Sequence, residues 1–137
     1  MNNRAKRTQA GLTLIEVLVA ILIFSFGLLG FVGLQARAIQ YSVSAEDSNR
    51  AALLANEIAS TMVMNNQVNT SPGGPLGAAI TAWKARVSDP RGVGLPNGVG
   101  TLSTTGNVAT ITITWQAPGA ASGSANSVNK YVTQVIL

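Results

Sequence analysis

Five carboxylates, Glu16, Glu46, Asp47, Glu57 and Asp89, are the side chains that could trade protons near neutral pH, because the chain has no histidine and no cysteine. Histidine is the commonest general base and metal ligand. Without cysteine there is no thiolate nucleophile, and any structure outside the cytoplasm must hold without disulfides. No nucleophile–base pair, phosphate loop or metal-ligand spacing is found, so no catalytic residue, cofactor or metal is expected and the chain does not read as an enzyme. Glu46 and Asp47 are neighbours, and on a helix they point about 100° apart rather than into one pocket. They read as solvated surface or as contacts to another subunit. Lys84, Arg86 and Arg91 make a weak basic patch without interleaved aromatics, which is more often a solvated face than a nucleic-acid site.

Glu16 is the exception. From Leu12 to Leu34 the only other polar side chains are Thr13 and Ser25. A charge at the middle of an inserted helix costs about 2.5–3.5 kcal/mol, and less near its end. Retaining one at this depth calls for a partner of opposite charge, and ion pairing is the chemistry expected of it.

The element that carries Glu16 is an apolar run of 23 residues. At about 1.5 Å per residue it spans roughly 35 Å, enough to cross a hydrocarbon core of about 30 Å. Arg4, Lys6 and Arg7 precede the run, and from Leu12 onward six cations stand against five carboxylates, so the net charge of +4 belongs mostly to the first eleven residues. Basic residues before the span, with only Arg37 soon after it, place the N-terminus in the cytoplasm and the rest outside. A secretory signal has an apolar core of about 7–15 residues closed by an A-x-A-like site, which this longer run lacks. Gly11, a small residue, stands before the run instead. A cut there would remove the basic leader and keep the helix; an uncleaved signal anchor is the alternative.

Gly11-Leu12-Thr13-Leu14-Ile15-Glu16-Val17-Leu18-Val19-Ala20 resembles the prepilin signal of type IV pilins and type II secretion pseudopilins. The resemblance implies cleavage by a prepilin peptidase between Gly11 and Leu12, N-methylation of Leu12 by the same enzyme, and an assembly role for Glu16. Leucine stands where phenylalanine is usual in that family. Cleavage would create a cationic amine at Leu12, about 6 Å before Glu16 along a helix. That amine could pair with Glu16 of its own chain or, as the resemblance implies, of a neighbour in a filament. In low dielectric such a pair is worth more than in water, and removing one member leaves a costly bare charge.

Gly27, Gly30 and Gly33 recur every three residues, each costing about 1 kcal/mol relative to alanine inside a helix. They read as a small-residue face for close packing, as a stretch able to unwind on leaving lipid, or simply as the glycine common in membrane helices. Beyond Leu34, the positions Ala51, Leu54, Ala55, Ile58 and Met62 form an apolar stripe with Arg50, Asn56 and Glu57 off it. Asn65-Asn66 and then Thr70 to Pro75 stop the pattern. A helix from Leu12 to about Asn66 would be roughly 80 Å long, more than a compact domain of this size needs. Gly27 to Gln35, Ala51 to Ala55 and Met62 to Asn65 resemble minor pilins of the kind called type IV pilus modification proteins, so the resemblance covers about the first half of the chain.

Farther on, Leu76, Ala79, Ile80, Trp83 and Val87 mark a short second helix with one apolar face, and a Trp on such a stripe is core. Val99 to Ser103 is a candidate strand followed by a turn at Thr105-Gly106-Asn107. Val108 to Trp115 alternates apolar residues with threonines. Ala117 to Ser127 reads as a flexible loop before a last strand from Lys130 to Leu137. The expected fold is α+β and pilin-like: a long N-terminal helix, its first half spanning a membrane, packed against a small antiparallel sheet with a short extra helix. The expected divisions are a leader 1–11, a membrane or filament-core half-helix 12–34, an amphipathic half 35–66 and a globular region 67–137.

The favoured function is a minor pilin that primes or modifies pilus assembly. A type II secretion pseudopilin is the second reading, and a signal-anchored periplasmic enzyme or binding domain the third. The partners implied by the resemblance are the prepilin peptidase/N-methyltransferase, other minor and major pilins and the inner-membrane assembly platform, with lipid before assembly; nucleic acid is not expected. The location implied is the inner membrane with the C-terminal region periplasmic, then the pilus.

Overall fold

The computed structural model describes residues 12–120 and 127–137 of the chain; the basic leader, including Gly11, lies outside them. Five elements follow in order: helix α1 (Leu12–Met64), helix α2 (Gly77–Val87) and strands β1 (Val99–Thr105), β2 (Val108–Gln116) and β3 (Val128–Ile136). The fold is α+β and pilin-like. The chain divides into two compact units, one ending at Ile39 and the other running Gln40–Leu137.

In the first unit every described side chain from Thr13 to Ile39 is exposed. This part of α1 is long and apolar enough to cross a membrane. Its one serine spends its hydroxyl locally, Ser25 Oγ donating to the Ile21 carbonyl at 2.7 Å. That bond leaves no bare donor on a surface that water would not reach.

In the second unit the remainder of α1 turns its stripe inward: Ala51, Leu54, Ala55, Ile58 and Met62 are all buried. The helix ends by a side-chain-tolerant left-handed cap at Asn66, φ 48°. Gln67 N–H donates to the Met62 carbonyl and Asn66 N–H to the Val63 carbonyl, both at 3.0 Å. These two bonds satisfy carbonyls that the helix end would otherwise orphan.

The sheet is antiparallel in the order β1-β2-β3. β2 buries Ala109, Ile111, Ile113 and Trp115 and leaves its threonines half-exposed, as period-two alternation requires. Thr105 pairs with Val108 across a two-residue turn. Gly106 supplies its positive φ of 61°, a conformation glycine takes without steric cost. β1 extends to Thr105, two residues past the expected Ser103. β3 begins at Val128 rather than Lys130, because Val128 continues the register opposite Gln116.

α2 docks through Trp83. Its ring is fully buried, and its Nε1–H donates to the Leu54 carbonyl of α1 at 2.7 Å. β1 approaches the same ring at Gly100, where a Cβ would stand 2.6 Å from a ring carbon. Leu76, Ile80 and Val87 complete the buried face of α2, with Leu95 from the loop that follows. An ion pair between Arg86 and Glu57 closes the outside of the α1–α2 contact.

Candidate functional site

Glu16 lies in the first full turns of α1 with its side chain exposed among apolar neighbours. Among the described residues its carboxylate forms no hydrogen bond or ion pair. Leu12 begins the helix. Gly11 lies outside the described residues, so the expected cleavage point has no structural account.

Gly27, Gly30 and Gly33 continue α1 without a break, and a Cβ at any of them would meet nothing within 4 Å. Glu16 and the three glycines thus share one helix and one unit with no neighbour against them. The arrangement offers a lone carboxylate on an apolar helix, a group equipped to take up a cation in a low-dielectric setting. No cluster of three or more acidic, His or Cys residues that could hold a metal ion occurs among the described residues.

The remaining carboxylates behave differently from one another. Glu46 pairs with Arg50 one turn on, both partly solvated. Asp47 overturns the expectation of a solvated helix surface: it is buried, 4% exposed. It sits one turn before Ala51 and so heads the same inward stripe. Among the described residues its Oδ2 has no hydrogen-bond partner. Burial pushes its carboxyl above the ordinary 3.8, the Arg50 charge partly opposing this and the Glu46 charge adding to it. Position on the stripe was the signal that could have found it.

Trp115 presents the complementary case, a buried indole N–H without an acceptor among the described residues. Of the three basic side chains of the expected patch, Arg86 is engaged by Glu57.

Residues 6–32 match the family model for the prokaryotic N-terminal methylation motif. The chain carries a type IV prepilin-like leader. The matched segment covers Lys6 and Arg7 of the leader, Gly11, Leu12, Glu16 and the first two glycines of the triplet. No curated protein and no solved structure matches the chain. The motif supports a type IV pilin or pseudopilin-like protein and implies processing by a prepilin peptidase and assembly with other pilins; with the long apolar helix it is consistent with membrane anchoring.

Proposed function

We propose that the chain is a minor pilin, similar to the pilus modification protein PilV, that primes or modifies the assembly of type IV pili. The observation that carries this reading is the joining of the methylation motif at residues 6–32 to an apolar helical stretch whose one carboxylate, Glu16, has no side-chain partner among the described residues. Cleavage between Gly11 and Leu12 frees an amine, which is methylated and remains cationic. Glu16 then accepts the terminal amine of a neighbouring pilin inside the filament, where the pair is shielded from water. Residues 12–34 hold the subunit in the inner membrane before assembly, with the N-terminus cytoplasmic and the region after the long helix periplasmic. Gly27, Gly30 and Gly33 allow this segment to pack closely or to loosen as it leaves lipid.

Type II secretion pseudopilins use the same kind of leader. The stretch Gly27-Leu28-Leu29-Gly30-Phe31-Val32-Gly33-Leu34-Gln35 favours the pilus. The test is the intact mass of the chain purified from membranes of cells that possess the peptidase. A mature chain beginning at methylated Leu12 is expected. A chain still beginning at Met1 would overturn the reading.

A further inference from the structure

The two edges of the sheet are not alike. On β1, Thr104 Oγ1 donates to the Val68 carbonyl at 3.1 Å and shares a hydrogen bond with the Thr70 hydroxyl, so residues 68–70 are tied to that strand. Trp83 of α2 packs against Gly100 of the same strand. Among the described residues β3 has no such cover.

Its open groups follow from the register. Leu137 N–H donates to the Asn107 carbonyl, and Ala117 N–H to that of Ser127, at the two ends of the β2–β3 pairing. Directly opposed residues in an antiparallel pair alternate between bonded and non-bonded. Odd-numbered residues of β3 therefore bond β2. The N–H and C=O groups of Val128, Lys130, Val132, Gln134 and Ile136 point away from the sheet, and none has a protein partner among the described residues.

The same five residues hold the exposed face, with Val128, Val132 and Ile136 respectively 58%, 46% and 68% exposed. A nine-residue edge with no proline and one lysine lacks most of the devices that keep edges from pairing.

We propose that β3 is a homotypic docking edge, pairing antiparallel with β3 of a second copy about a two-fold axis at Val132. In that register Val132 faces its own counterpart, Lys130 faces Gln134 and Val128 faces Ile136. Apolar side chains meet apolar ones, the two lysines are kept apart, and all five outward-facing residues of each copy are used. Sliding by one step sets Lys130 against Val132 or Ile136, and a parallel in-register pair would set Lys130 beside Lys130. Cross-strand apolar pairs stabilise an antiparallel contact and opposed like charges weaken it, so the chemistry of the strand selects one register.

The partner surface is the same patch on each copy, and an isologous contact of this kind closes on itself. The two β3 strands run in opposite senses.

The absence of native cysteine makes the register directly readable. Opposed bonded residues lie with Cα atoms about 5.5 Å apart, within the span of a disulfide. The full chain in detergent, carrying Val132→Cys, is expected to form a disulfide-linked dimer on mild oxidation. The Lys130→Cys chain is expected to stay several-fold less linked, and the Lys130→Cys/Gln134→Cys chain to link as well as Val132→Cys. Adding Gln134→Lys to the Val132→Cys chain, which opposes a second cation to Lys130, is expected to lower the yield several-fold. Failure of Val132→Cys to link, equal linking of Lys130→Cys, or a yield indifferent to Gln134→Lys would each overturn the proposal. None of these outcomes depends on cleavage at Gly11, so the pilin reading stands or falls separately.

Discussion

Asp47 is where a single residue departs most from its surroundings. It heads a stripe of alanine, leucine and isoleucine, yet carries a carboxyl with one oxygen unpartnered. Such a group costs about 1–3 kcal/mol, and more when charged. Burial raises its folded-state value above 3.8, with Arg50 opposing and Glu46 adding. Below pH 3.8 the folded and unfolded chains both hold the proton, and the residue carries no ionisation penalty. As pH rises through the raised value, the unfolded chain releases its proton more readily and stability falls, staying lower at neutral pH. Asp47→Asn keeps the shape and cannot ionise. Thermal melts from pH 3 to 8 are expected to show this variant several degrees more stable than the natural chain at pH 7, the difference vanishing at the acid end. An unchanged melting curve at pH 7 would show that folding does not raise the carboxyl and that it is compensated where it stands.

Among the elements, α2 shows how one ring organises three of them. Trp83 bonds the Leu54 carbonyl of α1, fills the core and lies against Gly100 of β1. A methyl at Gly100 would fall 2.6 Å from the ring, so Gly100→Ala must displace either the strand or the indole. Overpacking of this kind costs about 1–3 kcal/mol. In a Trp83→Phe background the smaller ring leaves room, and the same Gly100→Ala change should cost at least 1 kcal/mol less, since residues in contact do not add. Urea midpoints of the four chains, with unchanged slopes, measure this coupling. The helices and β2 were legible in the sequence because apolar spacing of 3.6 or 2 records which face is buried. The stripe Ala51, Leu54, Ala55, Ile58, Met62 and the alternation from Ala109 to Trp115 both did so. Asp47 hid because its type opposed its position. The start of β3 hid because Val128-Asn129 follows a run of small polar residues, and only pairing with β2 extends the strand backward. The partner that a glycine makes room for, as at Gly100, is tertiary information that no local pattern contains.

At the scale of the whole chain, two units answer to two solvents. The unit Gln40–Leu137 has a core of its own, whereas the described side chains of the other are exposed and almost wholly apolar. The leader was legible in sequence because a basic stretch ahead of an apolar run is a short linear signal. The proposed role of Glu16 needs a neighbour that this chain does not contain. If that neighbour supplies a terminal amine, loss of Glu16 leaves a buried cation without its counter-charge, a change that costs about 3–5 kcal/mol in buried pairs. Since 1.4 kcal/mol is about tenfold in an equilibrium, Glu16→Ala should lower incorporation into sheared filaments by tenfold or more. The processed N-terminus, read by intact mass, and the membrane abundance of the subunit should stay unchanged. Glu16→Gln separates the charge from the shape: it retains a hydrogen-bond acceptor of the same size and should still incorporate poorly. Normal amounts of the alanine variant in filaments would show that Glu16 is not the assembly contact. Normal amounts of the glutamine variant alone would show that a hydrogen bond suffices and that the amine is not the partner.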